Sequence, residues 1–180
     1  MFDAEIPIAS MSVSALTKYA LGDPDESIRF RGCEILEKSI KLAGDLGVRY
    51  VMIPGYDIYY GESTEETKKL FVNNIACATQ IAARDGVMLA FETMENEFMN
   101  TVTKGISYTS IVNSPYLKLY PDTGNITNAA VLHNSDVIGD MLAGKGNLVA
   151  LHLKESKPGV FREVPYFMGH VQFESLIKTA

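Results

Sequence analysis

Five near-continuous apolar, β-favouring runs recur along the chain, separated by segments whose apolar residues return every three or four positions. The runs are IPIASMSV from Ile6, VRYVMIPG from Val48, VMLAFETM from Val87, LKLYPD from Leu117 and LVALHLK from Leu148. A strand with one wet face alternates. A run that stays apolar throughout is buried on both faces, as in a parallel sheet covered by helices. The segments between carry helix punctuation. Asp23-Pro24 predicts a cap and a first-turn proline for a helix reaching about Gly44, with Ile28, Ile35, Leu36, Ile40 and Ala43 inward. Ser63 with Glu66 predicts a capping box for a second helix. Its core face is Leu70, Phe71, Ile75, Ala78 and Ile81, and Gly86 suits its stop. Shorter helices are predicted from near Asn100 to Val112, over Val137, Ile138, Met141 and Leu142, and from Phe173 onward. Gly124-Asn125 reads as a turn pair.

Repeated strand–helix–strand units define an α/β class, either an open doubly wound sheet or a (βα) barrel. No G-x-G-x-x-G follows the first strand, which weakens the dinucleotide-binding option. No linker or low-complexity stretch divides the chain, so residues 1–180 are expected to form one domain.

Composition narrows the class. With 180 residues and 47% hydrophobic content, the chain can bury a substantial core, and a soluble globular protein is expected. No apolar run has membrane-helix length, and MFDAEIPIAS has neither a basic start nor an apolar centre, so no membrane partner and no signal peptide are expected. Cys33 and Cys77 fall in helical segments and read as small core residues of a reduced, cytoplasmic protein. A net charge of −6 argues against nucleic acid as a partner but leaves room for a small anionic substrate.

In βα folds the functional residues stand at the C-terminal ends of strands. Glu92 follows VMLAF, Asp122 follows LKLYP, and His152 lies within LVALHLK, at intervals of 30 residues, one per βα unit. Two carboxylates and an imidazole in register suit a divalent ion such as Zn²⁺, Mn²⁺, Co²⁺ or Mg²⁺. Asp122 has a second reading as the cap of a following helix. His133 and His170 lack such placement and are expected to be structural, on a helix surface and in a loop. The loop after His152 offers Lys154, Lys157 and Arg162 with Ser156 between, either a phosphate-binding loop or a solvated surface loop.

The strings AGDLGVRYVMIPGYDIYYGESTEET, LAFETMENEFMNT, LKLYPDTGN and VALHLKESKPGVFREVPY resemble the L-ribulose-5-phosphate 3-epimerases, and the resemblance extends over essentially the whole chain. These are also named L-xylulose-5-phosphate 3-epimerases, and some hexulose-6-phosphate isomerases, within the xylose-isomerase-like TIM-barrel superfamily. GYDIYY and LHLKESKPG are the specific elements. The resemblance implies a partial (βα) TIM-type barrel of about five parallel strands with outer helices. It implies a divalent metal on Glu92, Asp122 and His152, with Glu92 also catalytic, and a sugar-phosphate substrate met by Lys154, Ser156 and Lys157. The implied reaction is epimerisation at C3 through an enediolate, one glutamate removing the proton and a second returning one to the opposite face.

The same resemblance implies further strands beyond both ends, this chain matching the third to seventh of eight. The last of the missing strands would carry the second glutamate and a fourth ligand. A truncated form is then expected to be impaired in epimerisation, and its open sheet edges to favour a homodimer or higher homo-oligomer. Departures from the family pattern are Phe167 at a usual glycine, Gln172 for an acid, and Leu16, Thr17 and Lys18 in place of a histidine–arginine pair. Alternatives are a hexulose-6-phosphate isomerase with the same chemistry and a non-catalytic metal- or sugar-binding remnant. A metal-dependent endonuclease acting on abasic DNA would need more metal ligands and a basic groove.

Overall fold

In the computed structural model, which describes residues 5–180, four parallel strands form one sheet in the order β1-β2-β3-β4. They are β1 (Ser10–Ser12), β2 (Tyr50–Pro54), β3 (Met88–Glu92) and β4 (Leu117–Tyr120). The N-terminal MFDA, part of the reading that excluded a signal peptide, lies outside the described residues. Val51, Ile53, Leu89, Phe91, Leu117 and Leu119 share one face of the sheet in register and are fully buried, while Tyr50, Met52, Met88, Lys118 and Tyr120 on the other face are half-buried.

Two long helices cover the first crossovers. Helix α1 (Glu26–Leu46) is capped by Asp25, whose carboxylate accepts from the Ser27 N–H, rather than by Asp23. Asp23 instead accepts from the Asp25 N–H, so two acids two residues apart divide the cap and the turn before it. Helix α2 (Glu65–Asp85) starts one residue later than Ser63 implied: Thr64 and Thr67 form the capping box. The Ser63 hydroxyl is held away by the buried Asp57 carboxylate at 2.7 Å. Gly47 and Gly86 end these helices with φ of 69° and 68°, where a side chain would be strained. Leu36, Ile40, Phe71 and Ile75 pack into the core, while Ile28, Ile35, Leu70 and Ile81 stay half-buried. Both cysteines are free thiols, and Cys77 is exposed rather than in the core.

The second half departs further from the pattern. Helix α3 (Val102–Val112) is as expected. Helix α4 (Thr123–His133), in contrast, runs through Gly124-Asn125, the pair read as a turn. Its sequence, TGNITNAAVLH, has poor intrinsic propensity, yet Thr123 through Ala130 are all buried, so packing and the Asp122 cap override it. Helix α5 (Val137–Ala143) and helix α6 (Phe173–Thr179) complete the chain.

The fifth apolar run is not a continuous strand. It lies parallel to β4 through two separate bridges, Leu119 with Leu148 and Asp122 with His152. Three residue steps on one side match four on the other, so one extra residue is inserted, as in a β-bulge. The reason is visible in the rungs. Val149 N–H donates to the Leu119 carbonyl, but Pro121 has no N–H for the next rung, and His152 N–H then donates to the Pro121 carbonyl at 2.9 Å. Among the described residues no helix is long and apolar enough to cross a membrane.

Candidate metal centre

The three strand-end residues meet. Glu92 is the last residue of β3, and Asp122 follows β4 by two positions. His152 would fall out of register with Asp122 in a regular ladder; the extra residue brings the two opposite one another. Offered donor atoms of Glu92, Asp122 and His152 all lie within 4.8 Å of one another. His152 Nδ1 is 2.6 Å from Glu92 Oε1 and 3.1 Å from Asp122 Oδ2.

Both readings of Asp122 hold at once, because each oxygen takes one role. Oδ1 caps α4 by accepting from the Asn125 N–H at 2.8 Å. Oδ2 turns to the cluster. The Asp122 N–H donates to Thr93 Oγ1 at 2.9 Å, tying the end of β4 to the residue after Glu92. Gly55 matters on the other side of β3: its N–H donates to the Glu92 carbonyl at 3.0 Å, and a Cβ there would stand 2.5 Å from that oxygen. The loop after β2 can approach Glu92 only because this position is glycine.

Electrostatically the cluster is tightly coupled. The carboxylates of Asp122 and Glu92 beside the ring hold the His152 imidazolium charged, its pKa pushed up to about 10 against the opposing effect of burial. Asp122 is fully buried and Glu92 nearly so. Asp122 Oδ2 lies within ion-pair distance of His152 and of Lys154 Nζ (3.0 Å), yet neither approach has hydrogen-bond alignment. A buried carboxylate oxygen without an aligned donor is costly unless a cation takes it. Two carboxylates, one of them offering that oxygen, and an imidazole fit a divalent ion of the hard to borderline class. Such an ion would displace the proton on Nδ1.

The loop residues expected to meet a phosphate are dispersed. Lys154 Nζ points into the cluster, 2.7 Å from Asn125 Oδ1. Ser156 is fully buried, donating to the Gly124 carbonyl at 3.1 Å and sharing a hydrogen bond with His170 Nε2 at 2.9 Å. Its hydroxyl is therefore committed to the fold. Lys157 is exposed. Arg162 binds Glu95 at 3.2 Å, and Glu95 also accepts from the Tyr56 hydroxyl at 2.7 Å, linking the loops after β2, β3 and the fifth run.

Glu155 organises that last loop. Burial works against its charge, but backbone N–H groups of Ser156, Phe167, Gly169 and Val171 hold its pKa below the usual range. His170 is held below its ordinary pKa by burial, and His133 ends α4 within 3.3 Å of Glu97. Both are structural placements, in a loop and on a helix surface. The residues that sequence reasoning missed are Thr93 and Asn125. DTGN carries a faint signal for Asn125, because it stands three positions after a capping acid, where the helix begins.

A family profile described as a xylose isomerase-like TIM barrel matches residues 1–180. The chain is 38% identical over 174 residues to the L-ribulose-5-phosphate 3-epimerase UlaE of Escherichia coli, covering 97% of this chain and 60% of that protein. It thus spans about 60% of the length of the curated relatives it matches. Among solved structures, the 3-keto-D-glucoside 4-epimerase YcjR from E. coli superposes with a TM-score of 0.79 at 14% identity, covering 99% of this chain and 68% of that one. A structure of L-ribulose 3-epimerase also gives 0.79, at 19% identity, over 99% and 59%. At such identities these structures attest the fold.

Proposed function

Because the chain belongs to the xylose isomerase-like TIM barrel family, we propose that its Glu92–Asp122–His152 cluster is the metal centre of a sugar-phosphate 3-epimerase, with L-ribulose 5-phosphate and L-xylulose 5-phosphate as the interconverted pair. The convergence of the three ligand atoms, with a buried Asp122 oxygen that has no aligned donor, carries this reading. The relatives named as L-ribulose-5-phosphate 3-epimerases supply the substrate class. A divalent ion held there would supply Lewis-acid polarisation of the ketone.

Glu92 is the base. Its Oε1 is engaged by His152, whereas Oε2 has no partner among the described residues and is the oxygen left to take the C3 proton. Inversion also needs an acid on the opposite face of the enediolate. Among the described residues no further carboxylate joins the cluster. Glu92 can nevertheless remove and return a proton on one face, which exchanges hydrogen at C3 without inverting it. Exposed Lys157 is the cation left for the phosphate tail, and the exposed run Tyr166, Phe167 and Met168 favours association with a second copy.

The test is deuterium incorporation at C3 of L-ribulose 5-phosphate in heavy water with added Mn²⁺ or Zn²⁺, followed by NMR. Exchange is expected, and Glu92→Gln should lower it by ~10²–10⁴. That no further carboxylate joins the cluster among the described residues favours one second reading, a binding-only role, which predicts metal uptake with no exchange at all. Exchange indifferent to Glu92→Gln would overturn the assignment of the base.

A further inference from the structure

Lys154 brings a second cation to the oxygen a metal would need. Its Nζ lies 3.0 Å from Asp122 Oδ2, the same atom that faces His152, and 2.7 Å from Asn125 Oδ1. Three contacts hold it there rather than in solvent. Asn125 is oriented by donating its side-chain amide to the Thr93 carbonyl at 2.9 Å. The Lys154 N–H donates to Thr123 Oγ1 at 2.9 Å, fixing the start of the side chain. Gly124 leaves the slot for the aliphatic stem: a Cβ there would stand 3.0 Å from Lys154 Cε and 3.1 Å from its carbonyl oxygen. In DTGN the acid is thus the ligand, the threonine the backbone anchor, the glycine the slot and the asparagine the hook.

An ammonium and a divalent ion cannot both engage one carboxylate oxygen at full strength, and their like charges repel across a short, poorly solvated gap. Building on the metal-centre reading above, we propose that Lys154 sets the charge of the centre. It competes with the divalent ion for Asp122 Oδ2 and lowers metal affinity. The loaded centre keeps one more positive charge than its three ligands and the ion would give. That charge favours an anionic oxygen developing on a bound ketose, the species an enediolate reaction must stabilise. Lys154 is on this account a positioning and charge-setting residue, not the phosphate ligand its place in the loop suggests.

The test is Mn²⁺ binding to the full chain by calorimetry, for wild type, Lys154→Met and Lys154→Gln, with thermal melts with and without Mn²⁺. Both substitutions should tighten Mn²⁺ by about tenfold or more. The metal-free variants should melt lower than wild type, and Mn²⁺ should raise their melting temperature by more. At saturating Mn²⁺, C3 exchange should fall by roughly tenfold or more, opposite in direction to affinity, which a packing defect would not produce. The glutamine variant retains an amide for Asn125 and serves if the methionine variant does not fold. Unchanged or weaker Mn²⁺ binding by a folded variant overturns the proposal. Failure of wild type itself to bind Mn²⁺ overturns the metal centre, and this inference with it.

Discussion

Replacing Asp122 separates its two roles, because asparagine keeps one and alanine keeps neither. Asparagine caps helices as well as aspartate, so Asp122→Asn should retain the bond from the Asn125 N–H to the capping oxygen. It loses the charge at Oδ2 and turns an amide N–H₂ toward Lys154 and the His152 ring. Breaking a fully buried ion pair costs roughly 3–5 kcal/mol. An exposed pair is worth about 0–1 kcal/mol. Asp122 is 1% exposed but its partners are 46% and 25% exposed, which places this site between those limits. A loss of about 2 kcal/mol follows from that interpolation. Asp122→Ala should lose about 1 kcal/mol more, the usual worth of a cap. For a chain of this size each kcal/mol shifts the melting temperature by roughly 2–4 °C. The assay is a thermal melt in chelator and again in Mn²⁺. At a free ion concentration of about 100 times Kd, wild type should gain ~2.7 kcal/mol and neither variant should approach that. If Asp122→Asn melts like wild type and shows the same Mn²⁺ shift, Oδ2 is neither ion-paired nor a ligand. If the alanine variant equals the asparagine variant, the cap is not contributing.

The metal-free protein should lose stability with rising pH. The pKa of His152 is raised from 6.5 to about 10 on folding, so its contribution is full below pH 6.5 and is lost as pH climbs through about 10. Melting temperature in chelator should therefore fall across that window in wild type, and His152→Gln should flatten this part of the profile; an equally steep fall in the variant would refute the coupling. Phe167 is a different case: its φ is 66° and its side chain lies in solvent, at 85% exposure. Phe167→Gly should relieve ~1–2 kcal/mol of left-handed strain, offset by ~0.5–1 kcal/mol of chain entropy and by lost contact with Phe173, leaving about 0.5 kcal/mol of net stabilisation. Urea unfolding measures this, and a clear destabilisation would show that the aromatic contacts outweigh the backbone strain.

How far the sequence alone reaches differs between the sheet and the site. These runs stay largely apolar because one face of the sheet is sealed and the other half-buried, and four of the five became strands of one parallel sheet in sequence order. Glu92, Asp122 and His152 were legible for a related reason: a parallel sheet puts every strand's C-terminal end on one rim, so acids and imidazoles at those ends converge. Local pattern could not give what depends on partners distant in the chain. Asp23 and Ser63 are competent caps, but Asp25 and Thr64 took the ends because the Asp23 carboxylate serves the preceding turn and the Ser63 hydroxyl is bound to the Asp57 carboxylate. Helix α4 formed against its propensity because its first eight residues are buried. The bulge that aligns His152 with Asp122 comes from a proline on the neighbouring segment, not from anything in LVALHLK itself. Ser156 and Lys154 share a loop with Lys157, yet one is sealed in the fold, one faces the carboxylates and one is exposed. A hydroxyl or an ammonium looks the same in sequence whether it serves a ligand or the fold; only the tertiary structure shows which oxygen it meets.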